Sequence, residues 1–181
     1  MKRFILVLSI LFIEIGLYGQ GIEFVQGMTS WDEVLERSKT EMKPIFVDIY
    51  TEWCGPCKWM DQNVFNQQEV GTYMNQHFIN IKLDAEKGWG PSFKSTFGVA
   101  AYPTYLFFDP EGNMVFNTGG SKPAEKFLSL SQRAIDNWKS GISSKKLQNL
   151  LNNKKDPEGI KSVLGKLRER PQDFISAGYI P

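Results

Sequence analysis

The only two cysteines of the 181-residue chain stand three apart, at Cys54 and Cys57, with Gly55 and Pro56 between them in "EWCGPCK". Two thiols at that spacing can hold a metal, form a structural disulfide or exchange disulfides with other molecules. Tetrahedral structural zinc takes four nitrogen or sulfur ligands, and beyond the two cysteines the chain offers a single His, His77. A Cys54–Cys57 bridge closes so short a loop that it restricts the unfolded chain very little, which argues against a staple. Redox exchange is the chemistry left by both counts.

If Cys54 sits between the end of a strand and the start of a helix, the unpaired N–H groups and the helix dipole favour its thiolate. Cys57, one turn into the helix and buried, stays protonated and is placed to attack a mixed disulfide formed at Cys54. Trp53 is expected to shield the pair beside an apolar docking surface, and Pro56 to restrict the loop between the sulfurs. Asp48 is the third chemical residue, because a carboxylate inside the apolar run "IFVDIY" is costly unless it is paired or used. Burial raises its pKa, so it can take or return the proton of the resolving thiol. A fourth feature is "YPT" at residues 102–104, where Pro103 precedes an apolar strand. Proline belongs at strand starts and edges. A cis bond at Tyr102–Pro103 would pack this loop against the cysteines and offer backbone groups to a bound peptide.

The elements that must position these residues follow from periodicity. Residues 45–50 are almost continuously apolar, as in a strand covered on both faces. Gly55 and Pro56 open a helix running to about Phe65, and a second helix is expected to about Gln76, its start marked by Asn66 and Glu69 as a capping box. Ile79, Ile81 and Leu83 alternate with Asn80, Lys82 and Asp84, the pattern of a half-buried strand. "AEKGWGPS" then makes a loop before a short helix to about Phe97. "TYLFF" at 104–108 is a strand, "DPEGN" a tight turn, and 114–116 its hairpin partner. Pro123 begins a helix to about Trp138. Upstream, "IEFV" at 22–25 is expected to be a short strand, followed by a helix capped by Ser30 with Glu33 completing a capping box. The order predicts a mixed sheet with helices on both faces.

With these residues in hand the chain resembles the thioredoxin superfamily. The resemblance rests on "FVDIYTEWCGPCK" at 46–58, on "YPT", and on Gly119–Gly120 after the hairpin, and it covers about residues 22–138. It implies an α/β fold, a thioredoxin-like three-layer α/β/α arrangement around a central mixed sheet. It further implies that Cys54 and Cys57 are the catalytic pair and form a redox disulfide, that Asp48 assists proton transfer, and that Pro103 is cis. Trp53, Gly55, Pro56, Tyr102 and Pro103 are then the client-binding residues. "NVFNQQEVGTYMNQHFINIKLDAE" at 63–86 is more similar to the exported branch, which includes periplasmic disulfide-handling proteins and soluble domains of transmembrane reductant carriers. Two features depart from the pattern: the Lys that family members often place near the buried Asp would fall at about Asn80, and "AEKGWGPS" lengthens the loop before Pro103.

The ends of the chain add compartment and organisation. Lys2 and Arg3 precede the apolar run at 4–13, the layout of a secretory signal peptide over residues 1–19, with cleavage expected after Gly19 and an uncleaved anchor as the alternative. The cut removes Lys2, Arg3 and Glu14 and leaves 19 basic and 19 acidic residues, so charge gives no reason to expect nucleic acid. Export, most simply to the periplasm of a Gram-negative bacterium, puts the pair where disulfides form. Residues 22–140 form the thioredoxin-like domain. Residues 141–181 are expected to form a helical extension, carrying leucines at three- and four-residue spacings. From Lys139 to Arg170 the sequence has nine basic and three acidic residues, read as a solvated face.

Among the other residues, His77 is expected at a helix end or on the surface; Trp59, Met60 and Phe65 in the core; Lys58 in solvent; and Trp89 in loop packing or in a partner contact. The expected activity is reduction or isomerisation of protein disulfides, with reduction first. No metal or organic cofactor is expected. The partners are disulfide-containing client proteins and a redox protein that recharges the dithiol, a membrane-embedded one among the alternatives. The competing reading is a redox-inert binding or chaperone module that docks through its helical tail.

Overall fold

A computed structural model of the chain describes residues 21–141 and, beyond them, the helical positions Asn149, Glu158, Lys161 and Gly165. The expected signal peptide and, apart from those positions and Gly141, the helical extension lie outside the described residues.

Strand β1 (Ile45–Tyr50) is built from aromatic and β-branched residues around a single charge, and only Tyr50 at its end escapes full burial. It is central because it is flanked on both sides. The sheet runs β2 (Ile79–Asp84), β1, β3 (Thr104–Phe108), β4 (Met114–Gly119). β2 lies parallel to β1, while β3 is antiparallel to β1 and to β4. A parallel pair needs a crossover. Here it consists of α2 (Gly55–Met60), a π-helical segment (Asp61–Phe65) and α3 (Gln68–His77). Helices α1 (Trp31–Glu41), α4 (Gly90–Thr96) and α5 (Ala124–Lys139) are the other helices within residues 21–141.

The period of two along β1 assigns its side chains to two cores. Phe46 packs with Met60, Val64, Phe65, Phe107 and Phe127 on the side of α2, α3 and α5. Ile45, Val47 and Ile49 pack with Val34, Phe93 and Phe108 on the side of α1 and α4. The result is three layers, as expected. Asp48 shares the parity of Phe46, so it faces the layer that carries the cysteines.

Several local expectations are corrected. Residues 22–25 do not form a strand, because the N–H of Ile22 bonds Phe65 O (2.7 Å) while that of Val25 bonds Asn80 O (2.9 Å). Two bonds to two different elements do not make a ladder. Ser30 does cap α1 through the Glu33 N–H, but the Glu33 carboxylate returns to the backbone and hydroxyl of Thr29 rather than to Ser30. The second capping box is absent: Gln67 is the N-cap of α3, and the Asn66 side chain donates backwards to Gln62 O. The hairpin strand continues past Phe116 to Gly119.

The lengthened loop after β2 closes tightly. Ala85 N–H bonds Tyr50 O (2.8 Å), and a Cβ at Gly90 would stand 1.8 Å from Asp84 O. Only glycine lets α4 begin so close to the end of the sheet. Trp89 anchors the base of this loop through Nε1 to Met28 O and by ring contacts with Trp31 and Phe93, so its role is loop packing.

Candidate active site

Cys54 ends the turn that follows β1 and serves as the N-cap of α2. Its N–H bonds Thr51 O, its carbonyl accepts from Lys58 N–H, and its Sγ accepts from Cys57 N–H at 3.2 Å. Pro56 in the first turn of α2 suits a position where no helical N–H bond is required. Cys54 and Cys57 are joined by a disulfide, with exposures of 3% and 2%. Trp53, Gly55, Pro56 and Lys58 surround them in solvent.

The chain brings Pro103 to the same place. The Tyr102–Pro103 bond is cis. Pro103 O accepts from Gly120 N–H at 2.8 Å, Ser121 Oγ donates to Pro56 O at 3.3 Å, and Lys122 N–H reaches Met60 Sδ at 3.4 Å. The strap at 119–122 therefore ties the proline loop to the start of α2. Trp53, 67% exposed, meets Tyr102 edge to face at 5.9 Å, and its indole N–H is held by both oxygens of Glu86 at 3.1 Å. Glu52 beside it is paired with Lys87. The inserted loop thus reaches the rim of the site.

Asp48 lies beneath. Sheet register places Lys82 of β2 on one side of it and Tyr105 of β3 on the other. Lys82 Nζ donates to Asp48 Oδ2 at 2.9 Å and to Asp61 Oδ1 at 2.5 Å, and lies over the Tyr50 ring at 4.6 Å. Asp48 Oδ1 and the Tyr105 hydroxyl are buried and bond none of the described residues. Burial pushes the Asp48 carboxyl up to about 6, more than Lys82 pulls it down. Lys82 is itself drawn down by burial, yet two carboxylates outweigh that and hold it above its ordinary value. Burial likewise raises the Tyr105 phenol, with the charges of Asp48 and Asp61 adding to it. Lys122, over the Tyr105 ring at 4.6 Å, is pushed down to about 8 by burial, with Lys126 reinforcing the shift.

The cysteines, Trp53, Gly55 and Pro56 thus stand together at the start of α2, the Tyr102–Pro103 loop is tied to that start through the Trp53 ring and the 119–122 strap, and Asp48 lies on the face of the sheet that α2 covers. The cation beside Asp48 is a correction. It is Lys82 and not the position of Asn80, which pairs in register with Phe46 and donates to Asn75 Oδ1. Trp59 is also corrected, being 44% exposed while Met60 and Phe65 are core. His77 lies at the end of α3 against the Tyr73 ring. Asp61, Lys82 and Glu86 were missed. Strand register could have found Lys82, but no motif marks the other two.

A family model described as thioredoxin-like matches residues 26–110. The chain is 32% identical over 111 residues to the chloroplastic thioredoxin Y of Oryza sativa subsp. japonica, covering 61% of each chain. It is 28% identical over 94 residues to the thiol:disulfide interchange protein DsbD of Pseudoalteromonas atlantica, covering 51% of this chain and 16% of that one. The chain thus spans about three-fifths, or much less, of these relatives. A solution structure of a Bacteroides thetaiotaomicron protein described as a disulphide-isomerase superposes with a TM-score of 0.58 at 39% identity, covering 65% of this chain and 95% of that one.

Proposed function

The chain belongs to the thioredoxin superfamily, and from that premise we propose that it is an exported thiol-disulfide oxidoreductase that reduces protein disulfides through Cys54 and Cys57. The observation that carries this reading is Cys54 at the helix start with its sulfur turned to the Cys57 N–H at 3.2 Å. In the reduced protein the same N–H and the helix dipole stabilise negative charge on that sulfur.

The Cys54 thiolate attacks one sulfur of a client disulfide, the client S–S bond breaks, and the other client sulfur leaves as a thiolate that takes up a proton. Cys57 then yields its proton to Asp48 and attacks Cys54 Sγ. The mixed disulfide breaks, the second client thiolate is released, and Cys54–Cys57 is left oxidised. Two electrons have passed to the client. Both sulfurs are nearly covered, so a client must press onto the surface of Trp53, Gly55, Pro56 and Tyr102 to reach them. The carbonyl of Pro103 is occupied by Gly120, which makes that loop a firm wall beside the pair. A separate redox protein must return the electrons, and the relative named a thiol:disulfide interchange protein supports such an exchange between proteins.

Export rests on the basic and apolar N-terminal residues 2–13. A periplasmic site suits a dithiol that must be recharged against an oxidising surrounding.

The direction of electron flow is tested by the reduction potential, measured by equilibrating the pair in dithiothreitol or glutathione buffers. It is expected nearer the thioredoxin value of about −270 mV than the oxidase value of about −120 mV. A value above about −150 mV would make the protein an oxidant of clients instead.

A further inference from the structure

Lys82 offers one positive charge to two carboxylates of different exposure. Asp48 is 1% exposed and Asp61 39% exposed at the side chain, and the ammonium touches Asp48 Oδ2 at 2.9 Å and Asp61 Oδ1 at 2.5 Å. Three rings, those of Tyr50, Phe24 and Phe65, surround it within 5.7 Å. The ammonium is thus confined to a path between the buried acid and the outer one.

Asp61 is fixed there by its backbone. It follows Met60 at the passage from α2 into the π-helical segment, and its N–H bonds the carbonyls of Cys57 and Lys58. Four residues after Cys57, it lies on the helix face that Cys57 buries. Thus the acid that competes for Lys82 hangs from the turn that holds the second sulfur.

We propose that Asp61 is a positioning residue for the proton transfer between Cys57 and Asp48: by drawing the Lys82 ammonium outward it leaves Asp48 basic enough to accept that proton. The inference rests on the reading of Asp48 given above. An ammonium given wholly to Asp48 would stabilise the carboxylate and make it a poorer base. The titratable groups that act on Asp48 are few: Lys82 from β2, Tyr105 from β3 and Asp61 from the π-helical segment, with Tyr50 and Lys122 reached through Lys82 and the Tyr105 ring; Cys57 is carried by α2, on the side of the sheet that Asp48 faces. Of these, Asp61 is the acid whose removal frees a cation already bonded to Asp48. Its negative charge also acts directly to raise Asp48.

The test is carboxyl 13C NMR titration of Asp48 in wild type, Asp61→Asn and Asp61→Glu, beside pH profiles of disulfide reduction for the same proteins and Asp48→Asn. In Asp61→Asn the Asp48 midpoint and the matching inflection of the rate should both fall by about one pH unit, and Asp61→Glu should restore them. An unchanged or higher Asp48 midpoint in Asp61→Asn overturns the proposal while leaving the role of Asp48 intact. A wild-type profile with no inflection that Asp48→Asn removes overturns the proton-acceptor reading and this inference with it.

Discussion

Cys54→Ser should lose disulfide reduction down to the background set by dithiothreitol alone, read as insulin turbidity. Serine preserves the local structure, because its hydroxyl is a good N-cap acceptor for the N–H that Cys54 Sγ now receives at 3.2 Å. Its loss is therefore chemical: a hydroxyl is not ionised at neutral pH and has no base beside it to activate it. The reduced wild type and the variant should unfold at similar denaturant concentrations, which separates a missing nucleophile from a damaged fold. If the two proteins speed precipitation equally, the enzyme reading is lost and a redox-inert thioredoxin-like binding module takes its place.

Asp48→Asn should stabilise the fold at alkaline pH and slow turnover near neutrality. The folded protein holds the Asp48 proton more tightly than the unfolded chain, with a pKa of about 6 against 3.8. Stability from the neutral acid is whole below the unfolded value, falls as pH rises through the interval, and is missing above about 6. That interval corresponds to about 3 kcal/mol at pH 8. Asparagine stays neutral and nearly isosteric, and Lys82 keeps Asp61 as its partner at 2.5 Å. Urea unfolding should show a gain of about 2–3 kcal/mol at pH 8 that disappears by about pH 4. A gain independent of pH would mean that the charge of Asp48 is not its origin. Turnover unchanged from pH 6 to 9 would remove Asp48 from the proton transfer. A residue kept at a cost in stability and needed for rate is the signature of function over folding.

Much of the site was legible because its residues are local. The apolar run with one charge, the Cys-Gly-Pro-Cys turn and the helix start lie within residues 45–60, where burial, turn chemistry and helix periodicity act over short distances. Asp48 stood out by the cost of a carboxylate in such a strand. Its cation did not, because it depends on how β1 and β2 register. Laying the two six-residue strands in parallel with Ile45 against Ile79 pairs Asp48 with Lys82. The expected position, Asn80, was wrong by two residues, which keeps the correct face and loses the correct partner.

Asp61 was hidden for a different reason. α2 passes into a π-helical turn at Asp61, and nothing in "DQNVF" announces it. Trp59 was expected in the core from its helical spacing with Met60 and Phe65. The buried face of the helix runs through Cys57, Met60 and Val64, and Trp59 lies one step round from Met60, in solvent. The order of the strands likewise depends on pairings between segments far apart in sequence, which periodicity alone does not encode.

The division of labour between the two sulfurs is tested most directly with Cys57→Ser. Incubated with disulfide-bonded insulin or with extracts of the compartment, the reduced variant should accumulate mixed disulfides through Cys54. They should be visible as bands that dithiothreitol dissolves and that the Cys54→Ser protein does not form. Adducts formed equally through Cys57 when Cys54 is absent, or no adducts from either variant, would contradict an attacking Cys54 resolved by Cys57.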